Sequence, residues 1–381
     1  MAASVSWETL RRLAGFRAER GRAISLYVGL DPRDTPTAGD ADTRMRSLLS
    51  EAEKSEGAAR DGLTHEQRLG LKADFDRIRS WFENDFDRDG VRGLGVFTSG
   101  LDGTWTSLEL AEPVADGVRV GAQFYLAPLV PLLSAPGEGA LVAAVGREKG
   151  ELYRLTGGRL VPLADYTEEQ PGQHDQGGWS QARYGRHIET LVHWHLKDVA
   201  AEVDRHVRRL HAPPVVIVAT EEARARFTEL LSQESRASLA GWATAEAHAS
   251  PAELLPAVTP VFEEWQRRKE RQVLERWREE AGRSARASAG WPETLTAASD
   301  GRVELLLYQD GARHEAWRCP ACGRASVEEG SCPLDGTPME KVPDGIDAAV
   351  HQTLAHGGTP FAIRHARDLD AVGGIGALLR Y

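Results

Sequence analysis

Apolar residues recur every three or four positions between Tyr184 and Leu210: Tyr184, Ile188, Leu191, Val192, Leu196, Val199, Val203, Val207 and Leu210. At about 100° per residue they gather on one side of a wheel, which predicts a single long helix over roughly 182–210. Arg183, Arg186, His193, Lys197, Arg205 and Arg208 fall largely off that stripe. The remaining surface is then positive. It is either a solvated face, diluted by Asp198, Glu202 and Asp204, or a stripe turned toward phosphate.

Other stretches carry period-two or continuous apolar patterns. Ala23 to Leu30 alternates as a strand, and Val91–Thr98 and Trp105–Leu110 read as paired strands joined by a Gly-containing turn. Helical patterns cover 43–56 and 64–86. Ala140–Val145, Gly150–Leu155 and Arg159–Leu163 predict three short strands. Pro214–Thr220 is almost wholly apolar, as in a central parallel strand, and a helix over 221–233 and a weak strand near Gly241 follow it. Pro251 to about Ala285 is a charged helix with an apolar edge. Beyond it come a buried strand at Val303–Tyr308, a helix at 346–355 and a strand at 360–364. The expected fold class is α/β and α+β in three domains: 1–136, 137–257 and 258–381. The first is α/β, the second a mixed sheet packed by helices, and the third a connector helix leading into another α/β layer.

Just before the long helix lies a polar stretch, Tyr166 to Gln176, without apolar periodicity. It is expected to be an exposed, mobile loop. It ends in Gly177, Gly178, Trp179, Ser180 and Gln181. Two glycines let bare backbone enter a crowded site, and a glutamine amide brings both a donor and an acceptor. No nucleophile–base pair stands beside Gln181. The chemistry expected there is positioning of water rather than covalent catalysis.

The glycines and Gln181 resemble the catalytic loop of the archaeo-eukaryotic release factor superfamily. The Gly-Gly-x-x-Gln form is similar to its bacterial relatives and to the Vms/Ankzf-type peptidyl-tRNA hydrolases of ribosome quality control. The resemblance implies an RNase-H-like middle domain and a C-terminal α/β sandwich. It also implies hydrolysis of peptidyl-tRNA on stalled ribosomes or large subunits. Gly177, Gly178 and Gln181 would be catalytic, and Trp179, Arg183, Arg186, His193 and Lys197 would contact RNA. The two-residue spacer between Gly178 and Gln181 departs from Gly-Gly-Gln. No Asn-Ile-Lys-Ser stop-codon reader is present, so codon-independent action is expected. Two rivals stay open: a nuclease cutting near the tRNA CCA end, and a non-enzymatic ribosome-binding rescue or hibernation factor.

Cys319, Cys322 and Cys332 are the only cysteines, and each knuckle is Gly-closed: Cys-Pro-Ala-Cys-Gly, then Cys-Pro-Leu-Asp-Gly. With Asp335 in the fourth position they read as a zinc-ribbon-like insertion over 314–340, with His314 a competing ligand. The expected zinc is structural. Three cysteines argue against an intramolecular disulfide framework. The formal net charge of −11 argues against general nucleic-acid affinity, so RNA contact is expected to be local and no DNA partner is implied. No apolar run of membrane-spanning length and no signal-like start are visible, giving the expectation of a cytoplasmic, monomeric protein without membrane partners.

Overall fold

The computed structural model describes residues 5–58, 63–88, 90–110, 112–134, 139–156, 158–166, 180–246, 249–283 and 286–381, and describes the side chains of all of these except 56–58, 134 and 180–188. The chain divides into two compact units, one of Met1–Ala135 with Lys269–Tyr381 and one of Pro136–Arg268.

The first unit opens with α1 (Trp7–Ala14), β1 (Ala23–Gly29), α2 (Ala38–Ala58), α3 (His65–Asn84), β2 (Gly93–Ser99), β3 (Thr104–Leu110), β4 (Gly117–Gly121) and α4 (Leu129–Ser134). Helix α3 starts where Thr64 and Gln67 form a reciprocal capping box, satisfying two otherwise orphaned N–H groups. The strands form an antiparallel sheet in the order β3-β2-β1-β4. All of β1 is buried because both its faces are covered. Ile24, Leu26 and Val28 pack with Met45, Leu49, Phe75 and Ile78 of α2 and α3, while Ala23 and Tyr27 enter a second cluster.

The second unit holds β5 (Leu141–Val145), β6 (Gly150–Thr156), β7 (Arg159–Asp165), α5 (Ser180–Arg209), β8 (Val215–Val218), α6 (Glu221–Leu230), α7 (Gln233–Ala237), β9 (Leu239–Ala243) and most of α8 (Pro251–Gly282). Its sheet runs β7-β6-β5-β8-β9. Strand β6 is antiparallel to its neighbours, and β5, β8 and β9 are mutually parallel. In order of appearance this is 3-2-1-4-5 with the second strand reversed, the RNase-H-like topology expected of the middle domain. Alternation divides the core cleanly. Leu141, Ala143, Val215 and Ile217 face α5 and α6, whereas Val142, Ala144, Val216 and Val218 face Leu254, Val258 and Phe262 of α8. The single helix expected over 221–233 is two, because the chain is extended at Leu231 and Ser232 restarts it as an N-cap.

The remainder of the first unit is β10 (Ala287–Ala289), α9 (Trp291–Ser299), β11 (Val303–Gln309), β12 (Ala316–Arg318), β13 (Ala325–Ser326), β14 (Glu340–Val342), α10 (Gly345–Ala355), β15 (Thr359–Ile363) and β16 (Ile375–Leu379). The larger sheet is ordered β10-β16-β11-β15, and the small sheet β13-β12-β14 carries the cysteine insertion.

Both ends of the chain share one core in this unit. Leu126, Leu129 and Val130 cluster with Leu295, Leu306, Ile346 and Val350. The segment 124–127 is gripped from several sides. Tyr27 donates to the Tyr125 carbonyl at 2.6 Å, and Tyr125 donates to Asp344 at 2.6 Å. One oxygen of Asp347 accepts from the Leu126 and Ala127 N–H groups at 2.7 and 3.1 Å. The His351 Nε2–H reaches the Phe124 carbonyl at 2.8 Å. Burial lifts the Asp347 carboxyl above its ordinary range, and the nearby His351 and the Leu126 N–H only partly offset this.

Candidate functional site

Helix α5 contains 30 residues, about 45 Å at 1.5 Å per residue. The strands beside it hold only four to seven residues. The helix therefore outruns the sheet. Among its described side chains, Val192 is the first to enter the core. The sheet edge is fixed by the turn after β5, where His195 Nε2 lies 3.1 Å from the Lys149 carbonyl. Gln181 precedes His195 by 14 positions, so its backbone stands about 20 Å farther along the helix axis. Gln181, Arg183 and Arg186 lie on the first turns of α5, with side chains outside the described set. Gly177, Gly178 and Trp179 lie outside the described residues. His193 and Lys197 are exposed on α5.

The base of this arm is tightly built. Tyr166, which ends the described stretch after β7, donates its N–H to the Gly150 carbonyl at 2.6 Å and its hydroxyl to Glu202 at 2.7 Å. Glu202 is buried and also meets Arg205 and His206, the latter at 3.0 Å. Burial, with Arg205 and Arg209 nearby, holds the His206 pKa below its ordinary value. Asp204 accepts from the Ser235 hydroxyl at 2.5 Å and from the Ser232 N–H at 3.2 Å. Neither acid dilutes a solvated face as the sequence pattern suggested; both tie α5 down. Gly150 permits this closeness, since a Cβ there would lie 2.5 Å from a Val199 methyl. Leu191, placed on the apolar stripe by its spacing, is exposed.

Beside the arm, at the carboxyl edge of the parallel strands, is a cleft of about 830 Å³. Gly146 and Lys149 of the β5–β6 turn, Thr220 at the start of α6, Leu196 of α5 and Leu254 of α8 line it. Crevices outside strand carboxyl ends are where open α/β sheets take ligands. Its charges are mixed and acidic on balance, Arg147, Lys149 and Arg226 standing against Glu148, Glu151, Glu189, Glu222 and Glu246. Among the described residues its carboxylates do not form a metal-sharing group.

In the first unit, Cys319, Cys322, Cys332 and Asp335 each offer one ligand atom, all within 4.8 Å of one another. Two knuckles set them there. The Gly323 N–H returns to the Cys319 carbonyl at 2.9 Å and the Gly336 N–H to the Cys332 carbonyl at 2.8 Å. Both glycines have positive φ, 81° and 74°, which a side chain would strain. The Cys322 and Cys332 sulfurs are 3.6 Å apart, and Cys319 sulfur lies 3.6 and 3.8 Å from the Asp335 oxygens. A tetrahedral ion with sulfurs at 2.3 Å separates its ligands by about 3.8 Å, so the spacing fits zinc. His314 is not part of the group; it stacks on Trp291 with ring centroids 4.5 Å apart. Purified protein is expected to carry about one zinc per chain by elemental analysis. Cys332→Ser should lose it, and Asp335→Cys should retain it. Zinc at background level in wild type would exclude the site.

Comparison with known proteins gives the family frame. Residues 125–263 match the Bacterial archaeo-eukaryotic release factor family 10, a span that takes in nearly all of the second unit. Peptide chain release factor subunit 1 of Archaeoglobus fulgidus is 26% identical over 363 residues, covering 90% of this chain and 87% of that protein. Among solved structures, an archaeal translation termination factor aligns over 99% of both chains at 16% identity with a TM-score of 0.27. Archaeoglobus fulgidus Pelota aligns over 76% of this chain and 79% of its own at 14% identity, with a TM-score of 0.33. The chain is therefore release-factor-like, with residues 125–263 the part that matches the bacterial archaeo-eukaryotic release factors of family 10.

Proposed function

We propose that this protein is a codon-independent peptidyl-tRNA hydrolase that frees nascent chains from stalled ribosomes or large subunits in the cytoplasm. The observation that carries the reading is the pairing of a Gly-Gly-x-x-Gln sequence with a helical arm. Gln181 stands about 20 Å beyond the sheet edge, long enough to reach into a recessed centre. The match of residues 125–263 to the bacterial archaeo-eukaryotic release factor family 10 supports it.

In this reading the chain works as a monomer of three parts, 1–136, 137–257 and 258–381, with the middle part entering the ribosome. Gly177 and Gly178 thread the backbone toward the ester that joins peptide to tRNA. Gln181 holds a water in line with the ester carbonyl and stabilises the developing oxyanion. Trp179 stacks on a neighbouring base. Arg183, Arg186, His193 and Lys197 face RNA phosphates, a local positive surface on an acidic chain. Zinc held by Cys319, Cys322, Cys332 and Asp335 is structural: four protein ligands leave no open position for substrate.

The test uses stalled ribosomes and free large subunits carrying labelled peptidyl-tRNA. Peptide released together with full-length tRNA is the expected result. Release with a shortened tRNA would make the protein a nuclease. Binding without release would leave a ribosome-associated factor and end the hydrolase reading.

A further inference from the structure

Beyond the loop itself, α5 displays an unusual exposed face. Trp194 is 54% exposed, and Leu191, one turn earlier, is also solvent-facing. Singly scattered exposed apolar residues are ordinary, but Leu191 and Trp194 stand together on one helix face, where an adjoining apolar pair points to a partner. Lys197 Nζ sits 4.8 Å from the Trp194 ring centroid, so a cation already occupies part of the ring. Arg205 and Arg208 continue the face toward the helix end, at the three- and four-residue steps that bring helix positions into line. Among the described side chains Asp198 is the one acid on this face, and Arg205 shares its charge with the buried Glu202. The face is net positive in a chain whose formal net charge is −11.

We propose that Trp194 is a stacking platform for an unpaired RNA base, with Lys197 and Arg208 receiving the flanking phosphates. The charge sign selects the occupant. A base offers a π-face to the indole and brings negative phosphates to the cations beside it, whereas an apolar protein partner would leave those cations desolvated and unpaired. The platform is on the helix that carries Gln181, 13 positions farther along, so a base held here would fix the arm's direction and depth. The proposal rests on the reading of the chain as a ribosome-acting factor, but it concerns binding rather than ester cleavage.

Filter binding to purified large ribosomal subunits gives the test. Trp194→Ala is expected to weaken binding roughly tenfold, and Trp194→Phe to restore most of it. Lys197→Ala and Arg208→Ala should each flatten the dependence of affinity on salt by about one unit of log slope. A photo-crosslinking residue in place of Trp194 should attach to RNA. The proposal is overturned if Trp194→Ala binds like wild type, if the cross-link goes to a ribosomal protein, or if the substitution dissolves a self-associated dimer seen by sedimentation. Because the surface is exposed, these substitutions should leave thermal unfolding unchanged, which separates binding loss from misfolding. The two readings fail separately. Trp194-dependent binding without peptide release would leave this inference standing and remove the hydrolase. Peptide release with Trp194-independent binding would do the reverse.

Discussion

Replacing Gln181 by alanine should lower the single-turnover rate of peptide release by on the order of 10² or more while leaving ribosome binding within about twofold. The size follows from the chemistry. Water attack on an ester needs a held nucleophile and a donor for the developing oxyanion, and losing one such preorganised group costs about 10²–10³ in rate. Separation of binding from chemistry follows from geometry. Gln181 is 13 helical positions from Trp194 and 16 from Lys197, so the substitution leaves the exposed face of α5 untouched. Gln181→Glu should be similarly slow, because a carboxylate cannot donate where the amide does. The rate is read as released labelled peptide against time after rapid mixing with large subunits. An alanine variant that releases peptide at the wild-type rate would place the chemistry elsewhere.

The second large effect is one of stability. Asp347→Ala should destabilise the first unit by roughly 2–5 kcal/mol, because it strands the buried Leu126 and Ala127 N–H groups at about 1–3 kcal/mol each. Asp347→Asn keeps the shared oxygen and should instead be close to neutral. The pH dependence has a definite sign. The folded-state pKa of Asp347 is raised, mainly by burial, so the folded protein binds that proton more tightly than the unfolded chain. Its contribution is most favourable below the unfolded pKa and is lost as pH rises through the folded one. Relative to wild type, the asparagine variant should therefore gain stability as pH rises from the acid range toward neutrality. Denaturant midpoints for the three proteins at several pH values measure this. An alanine variant as stable as wild type would mean that the grip on 124–127 is energetically idle.

What could be read from the sequence was whatever depended on neighbours in the chain. The period of α5, the hairpins of β5, β6 and β7, and the apolar run of β8 are local patterns, and each element formed where its pattern placed it. The cysteine group was legible for the same reason, its ligands lying within one short insertion. Glu202 and Asp204 were misread because their partners are distant. Tyr166 lies 36 positions before Glu202, and Ser232 lies 28 after Asp204. A carboxylate in a helix reads as solvated until its remote donor is known. The grip of Asp347 on Leu126 spans 221 positions and leaves no local trace. Leu191 sits at the margin of the apolar stripe, where the wheel assigns a residue to neither side. Trp194 escaped notice because a pattern search looks for apolar residues that repeat, and a lone exposed aromatic does not.

Strand order in the first unit bears on how the protein is made. Strand β16 follows every other described element, yet it lies inside its sheet between β10 and β11. Until it leaves the ribosomal tunnel, β11 has an open edge and the core shared by Leu126, Leu306 and Ile346 lacks Ile375, Ala377 and Leu379. The second unit is complete long before, since its residues end at Arg268. During synthesis, then, the arm-bearing unit can mature while the half-finished sheet waits with a bare edge, the kind of surface that chaperones recognise and that aggregation exploits.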